Sequence, residues 1–222
     1  LAPRINPDLT LQVSETFYSI QGESSYSGYP CFFIRLTGCN LRCTWCDTTY
    51  AYEEPGKEVS IKELLLMTAA YPAAFVEITG GEPLLQENVY PLIDSLLNAS
   101  RKILVETNGS LSLDRLDSRV VKIMDVKCPS SKMHEQVKTD NFKYLTRTDE
   151  VKFVIASRDD YEWACDLVGE YLCNSPIQIA FSPAADLLEP AELAAWILAD
   201  HLTVRLQVQM HRILWPLKHR GV

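Results

Sequence analysis

No run of eighteen apolar residues occurs in the 222-residue chain, which leaves no candidate for a membrane-spanning helix. The opening "LAPRINPDLTLQ" lacks the charged-then-apolar plan of a secretory signal. It starts on Leu1, as expected if the natural chain begins further upstream. Positive charge is scarce: 21 Lys and Arg face 29 Asp and Glu, a net charge of −8, which argues against a nucleic-acid partner held by a broad basic surface. The cysteines number seven, and an odd count in a chain of this length is not a secreted disulfide framework. Internal repeats and low-complexity linkers are also missing. A single cytoplasmic domain spanning 1–222, with thiols kept reduced, is the reading that remains.

Three of the cysteines are concentrated. The segment "GCNLRCTWCD" carries Cys39, Cys43 and Cys46 at gaps of three and two, and no fourth cysteine stands near them. Thiolates are the usual ligands of iron–sulfur clusters. Three of them in one loop hold three corners of a [4Fe–4S] cube and leave the fourth iron open to a small molecule. The alternative is structural zinc, completed by a distant residue; His134, His201, His211 and His219 are all remote in sequence. Polar neighbours such as Asn40, Arg42 and Asp47 argue against three merely packed thiols.

Apolar β-type runs alternate with helical patterns along the chain. Strands are expected at 30–36, 74–79, 102–107, 120–127, 150–155, 177–181 and 203–209. Helices are expected after Ser60, whose spacing to Glu63 makes a capping box, over much of 88–97, from Arg158 to about Cys173, and near 190–199. On the third of these, Tyr161, Cys165, Val168 and Leu172 fall on one face. Such alternation predicts an α/β fold with a mainly parallel sheet. Six or seven strands suit a partial (β/α) barrel rather than a closed eight-stranded one. Polar segments then gather at the C-terminal ends of the strands, where ligands bind: "TGCN", "TGGEP", "ETNG", "DVKCPS" and "SPAA".

The cysteine spacing, with Trp45 before the last thiol and "TGGEP" some forty residues later, resembles the radical S-adenosylmethionine enzymes. In that superfamily the open iron binds S-adenosylmethionine, whose reductive cleavage yields a 5′-deoxyadenosyl radical. The stretch "FYSIQGESSYSGYPCFFIRLTGC", continued by "CDT", "ITGGEP", "VETNGS", "DVKCPSS", "FSPAAD" and "QMHRILWP", is similar to the 7-carboxy-7-deazaguanine synthases over nearly the whole chain. Those are carbon–nitrogen lyases on the route to queuosine and related 7-deazapurines. They convert 6-carboxy-5,6,7,8-tetrahydropterin to 7-carboxy-7-deazaguanine with release of ammonia.

The resemblance implies roles at particular positions. Cys39, Cys43 and Cys46 would hold the [4Fe–4S] cluster, and Thr48 a Mg²⁺ ion. Ile20, Gln21, Gly22, Glu23, Arg35 and Thr79 would form the substrate site, Arg35 taking the substrate carboxylate. His211 and Pro216 would close it from a C-terminal extension, as the N-terminal loop closes it from the other side. Trp45, Cys46, Asp47, Gly81, Glu82, Asp125, Val126, Lys127, Ser182, Pro183, Ala184 and Ala185 would line S-adenosylmethionine. Glu106 and Asn108 face the same end without an assigned role. An electron donor such as flavodoxin and a homodimeric assembly are also implied.

Three features depart from the family pattern. Asp125 and Val126 stand where Ser-Pro is common, the loop reads Gly-Glu-Ser-Ser, and "LKHRGV" follows Pro216. A glycyl-radical activating enzyme shares the cysteine spacing but leaves the Gln-Gly-Glu loop and Arg35 unexplained. A zinc-binding module is the alternative from another class. Cys31, Cys128, Cys165 and Cys173 form no second ligand set, and Cys128 lies at the expected ligand end of the sheet.

Overall fold

The structure, a computed structural model, describes residues 6, 8–173, 175–218 and 220–222; His219 and the first five residues lie outside it. Nine strands form one sheet: β1 (Thr10–Ile20), β2 (Pro30–Leu36), β3 (Lys57–Ser60), β4 (Phe75–Gly80), β5 (Ile103–Thr107), β6 (Val121–Lys127), β7 (Glu150–Ile155), β8 (Gln178–Pro183) and β9 (Arg205–Leu206). The helices are α1 (Tyr50–Glu53), α2 (Ile61–Ala69), α3 (Val89–Asn98), α4 (Arg158–Leu167), α5 (Pro190–Ala199) and α6 (Met210–Leu214). The sheet order is β3-β1-β2-β4-β5-β6-β7-β8-β9, parallel from β2 through β9. β1 runs antiparallel to both β2 and β3. The sheet does not close, so this is a partial α/β barrel.

Side chains alternate across each strand, and the two faces have different chemistry. Ile34, Ile78, Val105, Met124, Val126, Phe153 and Phe181 face the helices and build the main core with Leu64, Leu92, Leu96, Tyr161 and Leu193. On the opposite face Cys31, Phe33, Leu104 and Ile123 form a smaller apolar cluster. Beyond that plug, toward the C-terminal strand ends, the same face carries Arg35, Thr79, Glu106, Asp125 and Lys127, with Arg35 paired to Thr79 and Asp125 to Lys152 in register. Parallel strands thus deliver their polar residues to one end.

Most expected elements occur where periodicity placed them. α2 starts on the expected capping box: Glu63 N–H donates to Ser60 Oγ at 3.2 Å and Ser60 N–H to Glu63 Oε2 at 2.9 Å. Several elements differ. β1 and β3 were not anticipated. The expected strand 203–209 shortens to Arg205–Leu206. The helix from Arg158 widens into a π turn at Val168–Leu172, leaving Tyr161 and Leu172 buried and Cys165 and Val168 only partly so.

Candidate active site

The cysteine loop leaves the end of β2 and is held from several sides. Gly38 N–H donates to Ala51 O at 2.8 Å and Glu82 N–H to Gly38 O at 2.8 Å. Thr44 Oγ1 donates to Ser130 O at 2.7 Å, tying the loop to the segment after β6. Arg42 Nη1 donates to Cys39 O at 2.8 Å and Leu41 O at 2.7 Å, and its guanidinium lies 4.1 Å from the Tyr52 ring centroid. All three thiols are free and half-buried. Burial pushes Cys43 up to about 11 and raises Cys46 as well, so without a metal these two thiols keep their protons.

Among the described residues no three His, Cys, Asp or Glu side chains converge on a single-ion cage. Cys39, Cys43 and Cys46 lie on one loop as free, half-buried thiols and line one cavity, a donor set of the kind that holds an iron–sulfur cluster. Glycine at 81 also fits a crowded junction here: a Cβ would sit 2.2 Å from Gly38 O and 2.7 Å from Cys39 Cβ. At Gly80, with φ +148°, a Cβ would meet Leu36 O at 2.2 Å.

Glu82 has a different place from its neighbours. It is fully buried and turned toward β5, outside the cavity. Its carboxylate accepts from Leu84 N–H at 3.0 Å, Thr107 Oγ1 at 2.9 Å and Asn108 N–H at 2.7 Å. Burial pushes it up to about 7 against those hydrogen bonds. Glu82 thus fastens the β4 loop to the β5 loop.

A cavity of about 500 Å³ opens over the polar half of the sheet. The cysteine loop forms one wall. Ile20 to Glu23 form another, with Phe33 and Ile123 as apolar lining. Arg35 enters from β2; its Nε donates to Glu15 Oε1 at 2.8 Å, which Tyr50 Oη also reaches at 2.8 Å. Among the described residues nothing accepts from the two terminal guanidinium nitrogens. Lys152 sits at the centre of a charged network, its Nζ 2.7 Å from Glu23 Oε2, 2.6 Å from Glu106 Oε1 and 3.4 Å from Asp125 Oδ2. Lys127 Nζ bonds Asp125 Oδ2 at 2.8 Å. Burial opposes the charge on Lys152, but Asp125, Glu106 and Glu23 together hold it well above its ordinary value. Burial likewise opposes ionisation of Glu23 and Asp125, and the lysines outweigh it and hold both low.

The C-terminal extension completes the enclosure. α6 packs on the N-terminal loop so closely that a Cβ at Gly22 would lie 2.5 Å from His211 Nδ1. Met210 N–H donates to Gly22 O at 2.9 Å and Gln209 Nε2 to Glu23 Oε1 at 2.8 Å.

The residues expected from sequence mostly meet in this cavity. Ile20, Gln21, Gly22, Glu23, Arg35, Thr79 and His211 line it, as do Cys39, Cys43, Cys46, Trp45, Asp47 and Thr48. So do Gly81, Asp125, Lys127, Pro183, Ala184 and Ala185, and also Glu106 and Asn108. Glu82 does not; nor do Val126, which faces the helices, Ser182, which is buried, and Pro216, which is exposed. Cys128 belongs to the main core, away from the cavity. Sequence reasoning missed Glu77, Lys152 and Gln209. The available signal was a charge inside an otherwise apolar strand, in "FVEIT" and "EVKFVI".

Comparison with known proteins agrees with this geometry. The Radical SAM superfamily model matches residues 33–143. The chain is 43% identical over 221 residues to the 7-carboxy-7-deazaguanine synthase of Chlorobaculum tepidum, covering 98% of this chain and 100% of that one. It is 42% identical over 227 residues to that of Koribacter versatilis, covering 96% and 100%. The crystal structure of QueE from Escherichia coli superposes with a TM-score of 0.76 at 25% identity, over 91% of this chain and 95% of that one. With near-complete coverage on both sides, the chain belongs to the 7-carboxy-7-deazaguanine synthase family of the radical SAM superfamily.

Proposed function

We propose that this chain converts 6-carboxy-5,6,7,8-tetrahydropterin to 7-carboxy-7-deazaguanine, releasing ammonia. One observation carries the reading: Arg35, with its terminal nitrogens uncommitted, opens into the same enclosed cavity as the three cysteines. A planar fork beside a thiolate loop suits a small carboxylated substrate held next to a cluster.

Cys39, Cys43 and Cys46 are the ligands of the [4Fe–4S] cluster in this reading. Trp45, Asp47, Gly81, Asp125, Lys127 and the segment Pro183–Ala185 line the space for S-adenosylmethionine. Val126 and Ser182 act there through backbone position. Bound together, cluster and S-adenosylmethionine supply reductive cleavage and hydrogen-atom abstraction. The protein's own task is binding and enclosure.

Arg35 takes the substrate carboxylate and Thr79 a polar ring atom. The loop Ile20–Glu23, braced by α6, covers the ring and keeps water out. Glu106 is shared between Thr79 and Lys152, which fixes its position beside the ring. Thr48, whose Oγ1 donates to Asp47 Oδ1 at 2.8 Å, keeps lone pairs for Mg²⁺. That ion takes few protein ligands and completes its shell with water and substrate oxygens. Pro216 lies exposed, so its part in the substrate site requires the extension to close further.

The reading also takes 1–222 as one domain, a flavodoxin-type reductant meeting the partly exposed cysteine loop, a homodimer, and the cytoplasm as location. No described helix is long and apolar enough to cross a membrane. The test is anaerobic turnover of reconstituted enzyme with the pterin, S-adenosylmethionine, reductant and Mg²⁺. A product with the mass of 7-carboxy-7-deazaguanine supports the reading. Formation of 5′-deoxyadenosine without any deazapurine refutes it.

A further inference from the structure

Among the acidic side chains around the cavity, Glu23 and Glu106 are committed to the protein at both oxygens, while Asp125 keeps a buried Oδ1 without a partner. Both Glu23 oxygens are taken, Oε1 by Gln209 at 2.8 Å and Oε2 by Lys152 at 2.7 Å. Both Glu106 oxygens are taken, Oε1 by Lys152 at 2.6 Å and Oε2 by Thr79 at 3.0 Å. The Gln21 amide is committed at both ends as well: Oε1 accepts from Glu23 N–H at 2.8 Å, and Nε2 donates to Glu77 Oε2. Glu77 differs. Its residue is only 2% exposed, yet it lines the cavity, and among the described residues nothing donates to Oε1. Glu77 pairs in register with Phe33, one rung below the Arg35–Thr79 pair and beside the apolar plug.

We infer that Glu77 is a specificity-determining residue for the substrate ring: its free Oε1 receives N–H donors of the aminopyrimidinone edge while Arg35 holds the carboxylate. The inference rests on the pterin reading above and deepens it. Facing the cavity and without a donor from the protein, Oε1 is open to an N–H that a ligand brings. Burial, with Glu106 and Glu23 adding repulsion, keeps the empty-pocket carboxyl well above the usual carboxylate range. Two N–H groups brought by the ring supply what the pocket lacks and favour the ionised form. Discrimination follows. A ring with an oxo group in place of the 2-amino group turns a lone pair toward Oε1, and sites built for a donor reject ligands that lack it.

The test is equilibrium binding to the cluster-loaded enzyme with S-adenosylmethionine and no reductant, so that nothing turns over. The probes are 6-carboxytetrahydropterin and its 2-oxo analogue, titrated by calorimetry into wild type and Glu77→Gln. The glutamine keeps the size and accepts from Gln21, but offers an amide N–H to the ligand. We expect wild type to prefer the 2-amino ring, the variant to bind it roughly 10- to 100-fold more weakly, and the preference for it over the 2-oxo ring to shrink or invert. The visible absorbance of the cluster stays unchanged. Equal affinities in the two proteins, with the same preference, overturn the role of Glu77 alone. If wild type binds neither ring, the pterin reading fails and the role of Glu77 fails with it.

Discussion

Replacing Lys152 by methionine keeps the length of the side chain and removes the ammonium from the centre of the site. Its Nζ touches Glu23 Oε2 at 2.7 Å and Glu106 Oε1 at 2.6 Å, and stands 3.4 Å from Asp125 Oδ2. The side chain is about 5% exposed, so solvent cannot screen the three carboxylates once the cation is gone. Removing one partner from a buried ionic group costs about 3–5 kcal/mol. At roughly 2–4 °C per kcal/mol for a chain of this size, the melting temperature falls by about 6–20 °C.

The pH dependence of that loss has a definite sign. In the wild type, Glu23 and Asp125 are held below their ordinary values of 4.5 and 3.8. Their contribution to stability is therefore complete above those values and disappears as pH falls through the depressed ones. Without Lys152, Asp125 keeps Lys127, but Glu23 loses its main cationic partner while burial still opposes its charge, so it takes up a proton on mild acidification. The destabilisation is then largest near pH 8 and shrinks toward pH 5. Anaerobic urea unfolding at both pH values measures it. Adding Glu106→Gln recovers part of the loss, because one of the stranded charges is gone. A cost below about 1 kcal/mol at pH 8, or one independent of pH, would show that the carboxylates are not organised around Lys152.

Other outcomes follow from the same geometry. Arg35→Ala weakens pterin binding by roughly 10- to 100-fold through loss of a charge-assisted pair, with iron content and S-adenosylmethionine binding unchanged; calorimetry and iron analysis separate the two. Gly81→Ala forces a methyl against Gly38 O and Cys39 Cβ, so reconstituted enzyme holds less iron per chain than wild type; full occupancy would contradict the crowding argument. Glu82 is raised from 4.5 to about 7, so the wild type loses its contribution as pH rises between those values. Glu82→Gln removes that loss, and its stability relative to wild type improves by about 3 kcal/mol from pH 4 to pH 8; a constant difference would contradict the shift.

Much of this was legible in the residue pattern, because parallel strands buried on both faces read as short apolar runs. β2 and β7 begin and end where those runs do. β1 was not legible: "TLQVSETFYSI" has only two buried positions and lies as an antiparallel cover beside β2, so its sequence reads as polar coil. β9 is short because it is the last strand, paired only to β8. The cysteines, Arg35 and the glycines were legible because motif spacing carries them. Glu82 sits in the same motif, yet its carboxylate turns to Thr107 and Asn108, a choice that depends on where β5 ends. Glu77 and Lys152 looked like stray charges in strands. Which sheet face each takes depends on register, and register belongs to the tertiary pairing rather than to the local sequence.

The central claim is that one cavity joins a cluster-bearing cysteine loop to a pterin site and contracts the ring there. Its most direct measurement is the joint yield of 7-carboxy-7-deazaguanine and ammonium in anaerobic turnover of 6-carboxy-5,6,7,8-tetrahydropterin, against an Arg35→Ala control. The account predicts the two products in equal amounts from wild type, with turnover at low substrate strongly reduced in the control. Cleavage of S-adenosylmethionine to 5′-deoxyadenosine at a rate indifferent to the pterin, with neither product formed, would contradict it.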